Sequence, residues 1–187
     1  MHRIRHVLCC VGMCAALMAA CSGQARSAAV EPFRLLDHLA GDWILTGTIA
    51  GKQTTHDVEA SWVLNREYLR LHEVSREKTA SGAPAYEAIV FIGWDNKAHQ
   101  YTCLWLDSTS GDGLSAQTIA RATPAENSIP FLFTISPSEF LHTTFTYDST
   151  ADSWRWLIDD EAKGKTDRFA DVKLLRAPSA TKFGSSR

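Results

Sequence analysis

Residues 32–49 read PFRLLDHLAGDWILTGTI, and two periodicities meet inside this stretch. From Pro32 to Leu39 the apolar residues recur at helical spacing, and a proline at the start favours helix initiation. Gly41 ends that pattern, and from there onward apolar and polar residues alternate, which is typical of strands. The stretch therefore predicts one short amphipathic helix that leads directly into the first strand of a β-sheet.

The alternation continues along the chain in ten segments separated by turn residues. The predicted strands are residues 43–49, 54–64, 68–76, 85–94, 100–107, 114–122, 129–136, 139–147, 153–160 and 166–175. No helical segment separates them, so consecutive strands should pair as antiparallel hairpins. Closing such a meander into a barrel removes both exposed edges. The sequence predicts an all-β, up-and-down antiparallel barrel of eight to ten strands with one N-terminal helix.

Composition excludes several classes of protein. The chain has 187 residues, 45% apolar and 21% charged, which is typical of one globular domain. A net charge of −2 without a basic run argues against a nucleic-acid partner. The histidines lack the spacing of zinc ligands, and phosphate loops, dinucleotide fingerprints and nucleophile elbows are absent from the sequence. No metal, cofactor or catalytic residue is predicted.

The first twenty residues have the pattern of an export signal. A short basic segment is followed by an apolar run over residues 7–20, which is shorter than the ~20 residues of a membrane-spanning helix. Residues 17–22, LMAACS, resemble the lipobox of bacterial lipoproteins, with Cys21 as the lipidated residue. Ordinary signal cleavage is the alternative. We expect a periplasmic protein of the bacterial envelope, held at the outer-membrane surface by a lipid anchor.

These patterns divide the chain into four parts. The expected boundaries are a signal peptide over 1–20, a tether over 21–30, the barrel domain over 31–177 and a flexible tail over 178–187. Cys103 lies inside the barrel domain, in an alternating apolar run. It is predicted to be a buried thiol and not a nucleophile, because no partner that would lower its pKa is nearby in sequence.

Three segments carry a resemblance to a known family: 36–43 (LDHLAGDW), 91–96 (FIGWDN) and 101–108 (YTCLWLDS). Their order resembles the DUF1579-type family of lipocalin-like (calycin) barrels. The helix followed by Gly-Asp-Trp is also similar to lipocalins, fatty-acid-binding proteins and nitrobindin-type haem barrels. The resemblance implies a barrel with an internal cavity and no particular activity. Haem is not expected, because the Tyr-Pro step of the nitrobindin type is absent and no histidine follows His142.

Aromatic residues are the first candidates for contact with a ligand. Trp94, Trp105, Trp154 and Trp156 lie in predicted strands, and the last two share one face because they are two residues apart. Aromatic rings on a barrel wall suit an apolar or planar ligand. Plain packing in the core is the alternative for each of them.

Polar residues of the third and neighbouring strands are the second candidates. Arg70 and His72 share one face of that strand, and leucines occupy the other face. If the leucine face is the core, Arg70 and His72 are solvated. If it is covered from outside, they line the cavity, where Glu87 and Asp107 could join them as an anchor for a polar head group.

The sequence favours a barrel that binds a small apolar or amphipathic molecule. Two alternatives stay open. One is an enzyme, an isomerase or hydrolase, that uses His72 or a pair of carboxylates inside the cavity. The other is a structural barrel whose interior is filled by side chains and takes no ligand.

Overall fold

The computed structural model describes residues 32–109 and 113–178. The predicted signal peptide, the lipidation site Cys21, the tether and residues 179–187 of the tail lie outside the described residues. The structure therefore bears on the barrel domain and not on export or anchoring. In the part of the chain that is described, no helix has the length and apolar character needed to span a bilayer.

One short helix precedes ten strands. The elements are α1 (Arg34–Leu39), β1 (Gly41–Ile49), β2 (Lys52–Val63), β3 (Tyr68–Ser75), β4 (Glu87–Asp95), β5 (Gln100–Asp107), β6 (Ile119–Ala122), β7 (Ser128–Ser136), β8 (Glu139–Asp148), β9 (Ser153–Ala162) and β10 (Lys165–Arg176). Each strand pairs antiparallel with the next, and β1 also pairs with β10, so the sheet closes. The predicted all-β up-and-down barrel is confirmed, with ten strands.

The sixth strand is shorter than the sequence pattern indicates. It begins at Ile119, whereas the alternation predicts a start at residue 114. Residues Ala116–Thr118 form a single 3₁₀ turn, in which the Thr118 amide and hydroxyl both donate to the Ser115 carbonyl oxygen at 3.3 and 2.7 Å. This local bonding satisfies the backbone groups that a longer strand would have paired, so the ladder starts one turn later.

Alternate residues of each strand point into the barrel. In β3, Leu69 and Leu71 are 0% and 1% exposed, whereas Arg70 and His72, at the alternate positions, are half-exposed. The leucine face of β3 is therefore the core, and Arg70 and His72 lie on the outer wall. Cys103 is 1% exposed, as predicted, and burial raises the pKa of its thiol, which keeps it protonated.

Helix α1 covers one end of the barrel. Its three leucines are buried in the same cluster as the barrel core: Leu35, Leu36 and Leu39. The indole nitrogen of Trp62 donates to Asp37 at 2.9 Å, and the Tyr101 hydroxyl donates to the Pro32 carbonyl oxygen at 2.5 Å. Burial raises the pKa of Tyr101 to about 12, so the hydroxyl keeps its proton for this bond. The helix is held by both apolar burial and hydrogen bonds from the wall.

Arg176, the last residue of β10, fastens the helix to the barrel. Its guanidinium lies over the Trp43 ring, 3.8 Å from the centroid, and donates to the Ala40 carbonyl oxygen at 2.7 Å. Trp43 in turn donates from its indole nitrogen to the Leu39 carbonyl oxygen at 2.7 Å. Gly41 has φ +126°, and a Cβ there would lie 2.4 Å from the guanidinium. A glycine at this position therefore allows the arginine to approach.

Replacing this arginine should destabilise the whole barrel. We expect Arg176→Ala to lower the free energy of unfolding by about 2 kcal/mol, because it removes a cation–π contact and charge-assisted hydrogen bonds. Arg155→Ala is the matched control, since Arg155 forms an exposed ion pair with Asp171, and its loss should lower the free energy of unfolding much less than the loss of Arg176. Urea unfolding measures both. Equal effects would show that Arg176 is an ordinary surface arginine.

Asp152 should make stability depend on pH in the acid range. Hydrogen bonds from Arg176 and Tyr147 lower the pKa of its carboxyl, with Arg176 the larger cause. Because the folded-state pKa is depressed, this stabilisation is present at neutral pH and is lost as pH falls through that pKa.

We expect Asp152→Asn to be less stable than the unmodified protein at pH 7 and to approach it in stability toward about pH 2. Urea midpoints across this range measure the convergence. Asp42→Asn, on the exposed face of β1, should leave the pH profile unchanged. A constant difference between the Asp152→Asn and unmodified proteins at every pH would contradict the role given to the carboxylate.

Candidate functional site

The end of the barrel opposite α1 is the more open one, and we call it the mouth. Three inward-facing side chains there are half-buried: Trp105, Leu141 and Ile158. At the α1 end, by contrast, Trp154 is 0% exposed. Inward-facing residues at the mouth are therefore partly accessible to solvent.

One side of the mouth carries a buried polar pair. His56 of β2 and Glu73 of β3 are 4% and 3% exposed and face inward from adjacent strands. The imidazole Nδ1 donates to Glu73 Oε1, because a carboxylate only accepts. Nδ1 therefore holds the proton, and in the neutral ring Nε2 accepts from the Thr54 hydroxyl, 2.7 Å away. Thr54, His56 and Glu73 form a continuous hydrogen-bonded chain.

Tyr86 and Trp105 extend this polar side across β4 and β5. The Tyr86 ring stacks on His56 with centroids 5.7 Å apart, and the Trp105 indole nitrogen donates to the Tyr86 hydroxyl at 3.2 Å. Burial raises the pKa of Tyr86, and the negative charge of Glu73 adds to the rise. The hydroxyl therefore stays protonated at neutral pH and can donate its hydrogen to a bound molecule.

The opposite side of the mouth is apolar. Leu141 of β8 and Ile158 of β9 face inward there, by the alternation of their strands. Ile135 adds exposed apolar surface at the end of β7, where the pairing with β8 is irregular. Strand order around the barrel follows chain order, so these strands lie across from β2–β4. The mouth is thus divided into a hydrogen-bonding half and a more apolar half, which we call the apolar half and whose rim carries Glu139 and Asp160 on the same strand faces as Leu141 and Ile158.

Aromatic rings occupy the centre of the barrel below the mouth. Trp156 lies 6.5 Å from Trp105 and 4.5 Å from Phe145, centroid to centroid, and Phe131 packs on Phe145 at 5.8 Å. The resemblance implies an internal cavity, but these contacts make the candidate site a shallow mouth. Among the described residues Trp156 Nε1 has no hydrogen-bond partner although it is buried, and such a donor costs about 1–3 kcal/mol.

The structure places five of the eight predicted ligand residues inside the barrel. These are Trp94, Trp105, Asp107, Trp154 and Trp156. Trp94 and Trp154 belong to the α1 end: Trp94 packs on Tyr101 at 5.1 Å, and Trp154 donates to the His38 carbonyl oxygen at 3.4 Å. Only Trp105, Asp107 and Trp156 lie toward the mouth, and ring contact joins the two tryptophans.

The other three predicted residues lie on the outer wall. Arg70 donates to Glu59 at 2.9 Å, and His72 is hydrogen-bonded to Glu87 at 2.7 Å. The hypothesis that Arg70, His72 and Glu87 form an anchor inside the cavity does not match this placement, because the leucines of β3 take the inward positions. These polar groups are partnered across the outer face of the sheet.

Sequence reasoning missed the pair that does face inward. His56 has the same strand parity as Val58 and Ala60, and Glu73 has the same parity as Leu69 and Leu71. Continuing each apolar alternation by one step would have placed both residues inside. Their polarity concealed this, since an inward strand position is expected to be apolar unless a partner is available.

Comparison with known proteins adds no family. A scan against protein-family models finds no match, and a search of curated proteins finds no significant relative. Within the described ranges, no group of three or more His, Cys, Asp or Glu side chains is arranged to hold a metal ion. The function is therefore argued from the geometry of the mouth.

The buried pair should contribute little to stability as a pair. Glu73→Leu should lower the free energy of unfolding by about 3 kcal/mol, because it leaves His56 buried without its partner. The double variant His56→Phe/Glu73→Leu should recover to within about 1 kcal/mol of the unmodified protein. Urea unfolding of the single and double variants tests this. A double variant no more stable than Glu73→Leu would show that the pair is needed for folding.

Proposed function

We propose that this protein is an exported, lipid-anchored barrel that binds a small neutral or cationic amphiphile at its mouth. The division of the mouth into a polar half and an apolar half is the observation that carries the proposal. A molecule with a polar head and an apolar chain would match both halves at once.

The apolar half supplies most of the binding free energy. Ile135, Leu141 and Ile158 offer partly exposed apolar surface, and covering it gains about 25 cal/mol per Å². The polar half orients the head group, through the Tyr86 hydroxyl and the His56–Glu73 pair. Trp105 links the polar half to the apolar core, since its indole nitrogen donates to Tyr86 and its ring packs edge-on against Phe133 of β7 at 6.4 Å.

Charge at the mouth selects among head groups. Glu73 and Asp107 point inward on β3 and β5, and Glu73 holds its carboxylate against a single imidazole. An anionic head group would enter beside these carboxylates and would lose its own hydration. Neutral and cationic head groups do not meet this repulsion.

Export and anchoring are proposed from the signal pattern over residues 1–20 and the lipobox resemblance at Cys21. A lipid anchor would hold the mouth close to a bilayer surface, where amphiphiles concentrate. The local supply would allow a shallow site of modest affinity to be occupied. The anchor and the site thus support the same kind of ligand.

Native mass spectrometry is the first test. The full chain carrying Cys21→Ser would be purified from the periplasm and compared with its denatured extract. A co-purifying amphiphile in stoichiometric amount would support the proposal and reveal the ligand class. A bare protein mass, with no uptake from a lipid extract, would favour the filled structural barrel that the aromatic centre also fits.

Defined probes test the site and its charge preference. We expect dodecanol and dodecyltrimethylammonium to bind at least about tenfold more tightly than dodecanoate, as followed by tryptophan fluorescence. Leu141→Asn, inside the mouth, should weaken binding of dodecanol. Leu132→Asn is the matched control, because Leu132 is exposed on the outer wall. Equal loss in both variants, or tighter binding of dodecanoate, would contradict the proposal.

A further inference from the structure

The hydrogen-bonded chain from Thr54 through His56 to Glu73 has the parts of an acyl-transfer centre. A hydroxyl lies 2.7 Å from one imidazole nitrogen, and a buried carboxylate bonds to the other. This is the order of nucleophile, base and orienting group that activates a hydroxyl in hydrolases. Thr54 is half-buried and borders a surface pocket of about 370 Å³ with Gln53 and Arg76. Thr54 is therefore partly accessible at the surface, while the base and the orienting group are buried.

Stability gives little reason for this arrangement. Two apolar side chains at the inward positions of β2 and β3 would continue the pattern of Val58 and Leu71, whereas burying a charged or polar pair carries a desolvation cost. The two outer His–Glu pairs of the barrel, His72–Glu87 and His142–Glu161, are both partly exposed. The His56–Glu73 pair differs from these two outer pairs, because it is buried and its histidine is hydrogen-bonded to a threonine hydroxyl.

We propose that Thr54 is the nucleophile, and His56 the general base, of a site that hydrolyses carboxylic esters of neutral amphiphiles. The choice of an amphiphilic substrate rests on the proposed binding function, whereas the assignment of the reacting groups rests on the hydrogen-bonded chain alone. Glu73 is a positioning residue, because it acts through His56 by fixing the ring and its tautomer. Tyr86 stacks on His56, and we assign its hydroxyl as the donor to the oxygen on which negative charge develops.

The reaction balances with water as the only co-reactant. Thr54 Oγ1 attacks the ester carbonyl carbon while its proton passes to His56 Nε2. The bond to the leaving oxygen then breaks, and His56 returns the proton to that oxygen, which releases an alcohol and leaves an acyl-threonine.

Water attacks the acyl carbon, and His56 takes the proton from the water. The bond to Thr54 Oγ1 then breaks, and the proton returns to the threonine. The released carboxylic acid loses its remaining proton to solvent, and the resulting carboxylate is repelled by Glu73 and Asp107, which favours its departure.

Covalent labelling tests the nucleophile directly. The full chain, expressed in a bacterial envelope, would be exposed to an uncharged alkyl fluorophosphonate, purified and mapped by mass spectrometry. We expect the phosphonyl group on Thr54, with fluoride as the leaving group. Thr54→Val should abolish labelling of this peptide, and Thr54→Ser should retain it. Thr144→Val is the matched control, since Thr144 lies on the outer face of β8, between the buried Thr143 and Phe145, and this variant should label like the unmodified chain.

The base and the positioning residue have their own controls. His56→Gln should slow labelling about a hundredfold, whereas His142→Gln, which breaks an outer-wall His–Glu pair, should leave the rate unchanged. Glu73→Gln should slow labelling, and Glu73→Asp should restore part of it, a rescue that a purely structural role would not give. Circular dichroism of each variant would show whether the barrel is folded.

Hydrolysis of 4-nitrophenyl octanoate by the purified full chain completes the test. Release of nitrophenol that disappears in Thr54→Val supports the proposal. Absence of labelling in the unmodified chain, labelling at another residue, or an equal rate in Thr54→Val would overturn it. Labelling of Thr54 without binding of dodecanol would contradict the proposed amphiphile site and support the acyl-transfer centre. Binding of dodecanol without labelling of Thr54 would support the amphiphile site and contradict the acyl-transfer centre.

Discussion

The stacking of Arg176 on Trp43 is the contact on which the rest of the architecture depends. The two residues are cross-strand partners in β10 and β1, the pair that closes the barrel. The same guanidinium bonds to backbone carbonyl oxygens of His38 and Ala40 at the end of α1. One side chain thus links the closing pair of strands to the helix. Because the helix covers this end, the partly exposed inward residues of the candidate site lie at the opposite end.

The two ends of the barrel differ in chemistry for a physical reason. At the α1 end the polar atoms of the large side chains find partners in the helix backbone, as the Trp43 and Tyr101 bonds show. At the mouth, two inward polar groups among the described residues bond to each other. His56 and Glu73 do this across adjacent strands. A buried pair of this kind has a high desolvation cost and contributes little net stability.

The alternation of apolar and polar residues predicts the number and order of the strands. Individual strands show that it does not always predict where a strand begins or which face is inward. It located all ten strands, but at β6 the bonds between Thr118 and Ser115 shortened the strand, a local competition that periodicity does not register. At β3 it grouped Arg70 with His72 correctly without saying which face is inward. For the same reason Glu73 was not predicted to face inward. It has the same strand parity as Leu69 and Leu71, but a polar residue is not expected at an inward position.

The sequence by itself determined the element order, the up-and-down connectivity and the general position of the aromatic residues, because these follow from local periodicity and short turns. Tertiary structure alone decided which residues meet. Thr54, Glu73, Tyr86 and Trp105 come from four different stretches of the chain, and only strand register and closure bring them to one side of the mouth. Local patterns describe neighbours along a strand, whereas a site on a barrel wall is assembled across strands.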